Sequence, residues 1–196
     1  MADDPKWLWI ELRDDDVKKA KARSFLEPLS ALGQGVIRDD NDDDETLMFS
    51  STYLGRPYRA KVNWHSGSPV KLMVKVNNNE RGGLDVDRDP TAGPLQPEPR
   101  DAFDDDDRPP KVRYFIGPGT YIEDERPDAD RQLAMLTPIA SGLLLQLMQV
   151  TDAEMFRLGD DMLTLWFRPH VTMLDLVRHV QMSFELIQPI GRELGF

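Results

Sequence analysis

The chain has 196 residues, 40% of them hydrophobic, enough for one ordinary domain with a sizeable core. Acidic residues outnumber basic ones 35 to 24, and the net charge of −11 argues against a nucleic-acid or anionic-lipid surface as the ligand. There is no cysteine, which excludes disulfides, thiolate catalysis and cysteine-ligated metal centres.

The start, Met1-Ala2-Asp3-Asp4, lacks the basic-then-apolar pattern of a secretion signal. The most apolar stretch, Ile139 to Val150, is interrupted by Ser141, Gly142, Gln146 and Gln149 and is too short to span a bilayer. The expectation is a soluble cytoplasmic protein.

Pro5 to Gly35 reads as helical over most of its length. Asp4 and Pro5 suit a cap and a first helical position. Trp7-Leu8-Trp9-Ile10 fits a strand equally well. From Val17 onward Phe25, Leu29 and Leu32 recur at helical spacing, Pro28 predicts a kink, and Gly33 and Gly35 end the helix. Three strands follow, Leu47–Tyr53, Tyr58–His65 and Val70–Val76, separated by Leu54-Gly55-Arg56-Pro57 and Ser66-Gly67-Ser68-Pro69. In the second, Tyr58, Ala60, Val62 and Trp64 alternate with Arg59, Lys61, Asn63 and His65. In the third, Leu72, Val74 and Val76 alternate with Lys71, Met73 and Lys75. Period-two alternation of this kind marks an antiparallel meander with one wet face.

Asn77 to Pro110 holds ten acids and four bases among prolines and glycines, and ends in Asp104-Asp105-Asp106-Asp107. With few apolar residues to offset its ordering entropy, it reads as a long acidic surface insertion, dispensable for folding. Val112–Ile116 resumes as a strand, and Gly117-Pro118-Gly119-Thr120 as a turn. Asp128–Val150 reads as a helix broken at Pro138, with Thr137 capping the second part. Met155–Leu158 and Met162–Phe167 flank Gly159-Asp160-Asp161 as a hairpin. Val171–Leu194 closes the chain as an amphipathic helix with Leu174, Val177, Phe184 and Ile187 on its buried stripe. The sum is a single α+β domain over residues 1–196. Its antiparallel sheet of five to six strands, a meander plus a C-terminal hairpin, packs against helices.

Motifs for chemistry are wanting. Asp39, Asn41 and Asp43, and again Asp85, Asp87 and Asp89, have the alternating spacing of a calcium loop. The sixth and twelfth positions are Asp44 and Ser50 in one and Pro90 and Gln96 in the other, where glycine and glutamate are needed. His65, His170 and His179 form no two-histidine metal motif, no serine lies in a nucleophile elbow, and the glycine-rich Gly117–Thr120 has no phosphate-binding lysine. Leu143-Leu144-Leu145 reads as core packing at helical spacing rather than as a partner face. No catalytic residue, cofactor or metal is assigned.

The informative feature is charge segregation. Between Gly55 and Val76 stand Arg56, Arg59, Lys61, Lys71 and Lys75 with no acid, followed by the acidic segment. Strand alternation puts Arg59, Lys61, Lys71 and Lys75 on the outer sheet face. These five residues are the candidate partner-binding positions. Their partner would be an acidic protein surface or the chain's own Asp104–Asp107.

Two stretches carry a family resemblance. Val112-Arg113-Tyr114-Phe115-Ile116 followed by Leu136-Thr137-Pro138, a hairpin and a closing helix resembles the carboxy-terminal part of an uncharacterised bacterial domain-of-unknown-function family. Tyr53-Leu54-Gly55-Arg56-Pro57-Tyr58 resembles the Gly-Arg turn of related bacterial proteins. The likeness covers about half the chain, and the acidic insertion departs from it. It implies a bacterial origin and the order of elements, and no activity. The expected function is a non-catalytic protein-interaction or adaptor module in a bacterial cytoplasm, with homo-oligomers compatible and no direct nucleic-acid contact. The alternatives are a hydrolase or transferase whose site assembles only in three dimensions, and an acidic mimic of nucleic acid.

Overall fold

The computed structural model describes residues 14–41, 43–65, 70–78, 82–95, 110–168 and 172–196. Trp7–Ile10 and His170 lie outside them. Helix α1 (Asp15–Leu26) starts at Asp14, whose carboxylate accepts from the Asp16 N–H, with Asp15 and Asp16 in the electropositive first turn. At Glu27 it tightens into a 3-10 helix over Glu27–Leu32, because Pro28 has no N–H to give to an α-helical ladder. The expected kink is thus a change of helix type, and Phe25, Leu29 and Leu32 stay buried through it.

Nine strands follow in one sheet: β1 (Val36–Asp40), β2 (Asp43–Tyr53), β3 (Arg56–Asn63), β4 (Lys71–Lys75), β5 (Leu84–Arg88), β6 (Lys111–Gly117), β7 (Thr120–Glu125), β8 (Ala153–Leu158) and β9 (Met162–Phe167). Their order in space is β1-β2-β3-β4-β9-β8-β5-β7-β6, and every neighbouring pair is antiparallel. The remaining helices are α2 (Arg126–Met135), α3 (Pro138–Val150) and α4 (Met173–Leu194). The fold is α+β, with the meander, the Gly117–Thr120 turn and the C-terminal hairpin where the alternation put them. The sheet is larger than the expected five to six strands. The extra ones are β1, short and polar at an edge, β7, whose second half is three consecutive acids, and β5.

Strand β5 overturns the reading of residues 77–110 as surface insertion only. Leu84 and Val86 are fully buried, and β5 lies inside the sheet between β8 and β7. Its ordering is supported by two neighbours rather than by its own composition, which is why composition concealed it. It pairs with β7 only at Asp87–Tyr121 and Arg88–Thr120. Where the two strands separate, the buried amide of Gln132 on α2 fills the gap. Its Oε1 accepts from the Asp85 N–H at 2.7 Å, and its Nε2 donates to Asp124 Oδ2 at 2.9 Å. A buried N–H without such a partner would be costly.

The helices all lie on one face of the sheet. There α1 covers β2 and β3, α2 covers β6 and β7, and α3 lies against β8 and β6. Helix α4 packs on α3 and the 3-10 helix. Leu47, Phe49, Tyr58, Ala60 and Val62 point to this side and are buried. Thr137 caps α3 by accepting from the Ala140 N–H at 3.0 Å. Leu144 is fully buried, as expected for core packing. Leu145 lies against Gly117, where an added Cβ would stand 2.4 Å from the leucine Cδ2. The buried stripe of α4 runs through Leu176, Val180, Phe184 and Ile187. Leu174, expected on that stripe, is 85% exposed, because it lies in the first turn on the opposite side from Leu176. Among the described residues no single helix is long and apolar enough to cross a membrane. Only α2 and α3 taken together would pass, and they are bent by 98°.

Candidate interaction face of the sheet

The opposite face of the sheet carries no helix among the described residues. On β3 and β4, Arg59 pairs in register with Met73 and Lys61 with Lys71, so Arg59, Lys61, Lys71 and Lys75 share this face as alternation requires. Arg56 does not join them. It has the parity of Tyr58, which points to the helices. Lys61 is already neutralised by the buried Asp40 of β1. The acid that meets Lys61 therefore comes from the end of β1. The Asp104–Asp107 run lies outside the described residues.

The centre of the face belongs to β9 and β8. Lys71 faces Trp166, Met73 faces Thr164 and Lys75 faces Met162 across β4–β9, and Trp166 faces Met155 across β9–β8. The Lys71 ammonium lies 5.9 Å from the Trp166 ring centroid and the Arg157 guanidinium 5.5 Å from it. Both are within the reach of a cation–π attraction. Beyond β8 the charges turn acidic. Asp85 accepts from Arg157 at 2.7 Å, and Glu123 on β7 binds Arg113 on β6, whose guanidinium stands 4.3 Å from the Tyr121 ring.

Asp87 sits between these two ion pairs. In register it faces Tyr121 on one side and Met155 on the other. Its carboxyl is held above the ordinary aspartate range, first by burial and then by Asp85 and Glu123, with Arg157 and Arg113 pulling the other way. The side chain lines a cleft of about 400 Å³ together with Tyr121, Met155, Trp166, Glu154 and Arg168. A second cleft of about 380 Å³ lies on the other side of Trp166, between Asp40, Asp43, Lys61 and Lys71. Asp43 is held below the ordinary range by hydrogen bonds from Thr46, the Glu45 N–H and Asn63.

No family model matches the chain, and no curated protein does. A solved structure resembles it. This is the crystal structure of the mycobacterial trehalose monomycolate transport factor A, TtfA, with a TM-score of 0.56 at 7% sequence identity. The superposition covers 88% of this chain and 94% of TtfA. The α+β fold is therefore one that TtfA shares over nearly its whole length. At 7% identity the likeness to TtfA transfers the fold and no site residue.

The residues that set the chemistry of this face were only partly visible in advance. Arg59, Lys61, Lys71 and Lys75 were found from alternation. Asp85, Asp87, Tyr121 and Trp166 were not. The signal for the first two was present: Leu84-Asp85-Val86-Asp87 alternates with period two, but its acids suggested a calcium loop. On a strand, Asp85 and Asp87 stand side by side on one face instead of converging. Among the described residues no three histidines or carboxylates gather as a metal ion would need. Of the histidines, His65 is exposed with its ring 6.0 Å from that of Trp64, and His179 packs 5.6 Å from Phe167. Neither lines the clefts.

Proposed function

We propose that the chain works without catalysis, as an adaptor that binds a protein partner on the helix-free face of its sheet. The observation that carries this reading is the composition of that face. Met73, Met155 and Met162 project there around Trp166, with Met48 further out on β2, between a basic half on β3–β4 and an acidic half on β5 and β7. Methionine adapts to varied surfaces, and tryptophan is a frequent anchor of protein interfaces. Nine strands of about six residues at ~4.8 Å spacing present roughly 800 Å², the area one partner contributes to a standard interface. TtfA bears the name of a transport factor, which is compatible with a binding role and specifies no partner for this chain.

The test is affinity capture from the native host followed by mass spectrometry, with three baits. Wild type and Ile139→Glu, which alters an exposed side chain on the helical side, should retain the same specific partner. Trp166→Ala should lose it, a hot-spot effect of about 2 kcal/mol. If Trp166→Ala captures the partner as well as wild type does, the helix-free face is not the binding surface.

A further inference from the structure

The cleft between β7, β5, β8 and β9 has an uneven distribution of charge. Its two arginines are neutralised. Arg88 donates to Asp152 at 2.9 Å and to the Met148 carbonyl at 3.2 Å, and Arg168 lies 3.5 Å from Asp152 and 4.0 Å from Glu154. Asp89 is occupied as well, accepting from the Thr91 N–H and hydroxyl at 2.8 and 2.7 Å. Asp87 differs from all of these. Among the described residues it makes no ion pair and no side-chain hydrogen bond, although β5 holds it half-buried between the side chains of Tyr121 and Met155.

Such a carboxylate is disfavoured in the empty protein. The fixed groups nearest to it on its own strand and on β7, Asp85 and Glu123, share its sign. The two arginines within reach, Arg157 on β8 and Arg113 on β6, are each bound to one of those acids. An arriving cation would relieve this arrangement, gaining a carboxylate that no described residue pairs with and walls built from the Tyr121 and Trp166 rings. The same face already holds Lys71, Arg157 and Arg113 against those two rings. A metal ion is a poor fit, because among the described residues no second and third ligand converge on Asp87. An anion would meet the Asp87 carboxylate and two arginines that already stand beside Asp152, although the buried Arg168 Nε makes no hydrogen bond among the described residues.

We infer that the Asp87–Tyr121–Trp166 cleft is a recognition site for a single basic side chain, lysine or arginine, presented by a protein partner. The site deepens the adaptor reading: it rests on the same face and supplies the specificity for what docks there. Asp87 provides the charge, the two rings provide cation–π and apolar contact to the side-chain stem, and Met155 closes the floor.

The full chain, labelled with ¹⁵N, is titrated with a blocked Gly-Gly-Lys-Gly-Gly peptide, with its norleucine counterpart and with spermidine. The lysine peptide should shift the Trp166 indole N–H resonance saturably in the millimolar range, and the norleucine peptide should not. Asp87→Asn, whose melting point should be no lower than that of wild type, should weaken the lysine response by roughly ten-fold or more, the loss of one well-placed charge contact. Equal responses to lysine and norleucine, or an unchanged response in Asp87→Asn, would overturn the site. Saturation by spermidine without a response to the peptide would overturn the assignment to a protein side chain. The two readings separate in the host capture. If Trp166→Ala loses the partner while Asp87→Asn keeps it and lysine peptides do not bind, the face stands and the cleft falls. If lysine peptides bind through Asp87 while Trp166→Ala keeps every partner, the cleft stands and the adaptor surface falls.

Discussion

At the scale of single residues, the raised pKa of Asp87 has a consequence for stability that can be signed. Below pH 3.8, the ordinary value, the carboxyl is protonated in both folded and unfolded chains and contributes nothing. As pH rises past 3.8 the unfolded chain releases its proton first, so stability falls until the folded carboxyl has also ionised. At neutral pH the folded protein therefore carries the penalty of holding this carboxyl half-buried beside Asp85 and Glu123, only partly offset by Arg157 and Arg113. Asp87→Asn should be more stable than wild type at pH 7, and the gain should vanish in urea titrations run below pH 3.8. A variant that gains stability while losing a ligand is the signature expected of a residue kept for binding. Gln132 makes the opposite prediction. Gln132→Leu preserves much of the volume but leaves the Asp85 N–H without its acceptor in a buried gap. It should lower the unfolding free energy by about 1–3 kcal/mol, whereas an exposed glutamine would tolerate the change. Neither residue was legible in the sequence as more than a polar side chain. Asp87 acquires its meaning from three neighbouring strands, and Gln132 from a strand separation that no local pattern encodes.

The elements were legible in proportion to how far each satisfies its own physics. β3 and β4 alternate cleanly because one face is buried and the other wet, and the break between α2 and α3 is written in Thr137 and Pro138. β5 is the counter-example, with two buried side chains, Leu84 and Val86, among acids, glycines and prolines, ordered by strands 30 or more residues away in sequence. Leu84→Ala should destabilise the protein by about 2–5 kcal/mol, as for other fully buried leucines, measured by chemical denaturation. An effect below a few tenths of a kcal/mol, the size expected of a surface site, would return this segment to the surface role its composition implies. The β6–β7 turn is equally constrained. Gly119 has φ of 61°, and a Cβ there would lie 2.7 Å from the Pro90 backbone. Gly119→Val should be among the most destabilising single changes in this hairpin, because it adds left-handed strain to a backbone clash. α4 shows the limit of helical periodicity. Leu174, expected on the stripe of Phe184 and Ile187, stands two residues from the fully buried Leu176 and so on the other side of the helix, and it is Leu176 that starts the stripe.

At the scale of the whole molecule, the order of strands in space departs from their order in the chain where β9 and β8 enter between β4 and β5, and again where β7 enters between β5 and β6. The sheet consists of one sequential meander, β1 to β4, and one out of chain order, in which β7 lies between β5 and β6. They touch each other nowhere in the ladder and are joined only by β9 and β8, the last strands to be made. As the chain leaves the ribosome, each meander is complete before its inner neighbour exists. During that interval β4 and β5 are open edges with unpaired N–H and C=O groups, and their buried-face residues Leu72, Val74, Leu84 and Val86 are uncovered. The hairpin of β8 and β9 then works as a keystone that seals both edges at once, and α4 arrives behind it to cover the face. Closure of the sheet is thus deferred until β8 and β9 have been made, with the long sequence separations that slow a β protein. A nascent chain stalled before Ala153 should be captured by chaperones or aggregate, while one in which Phe167 has cleared the exit tunnel already has the means to close its sheet.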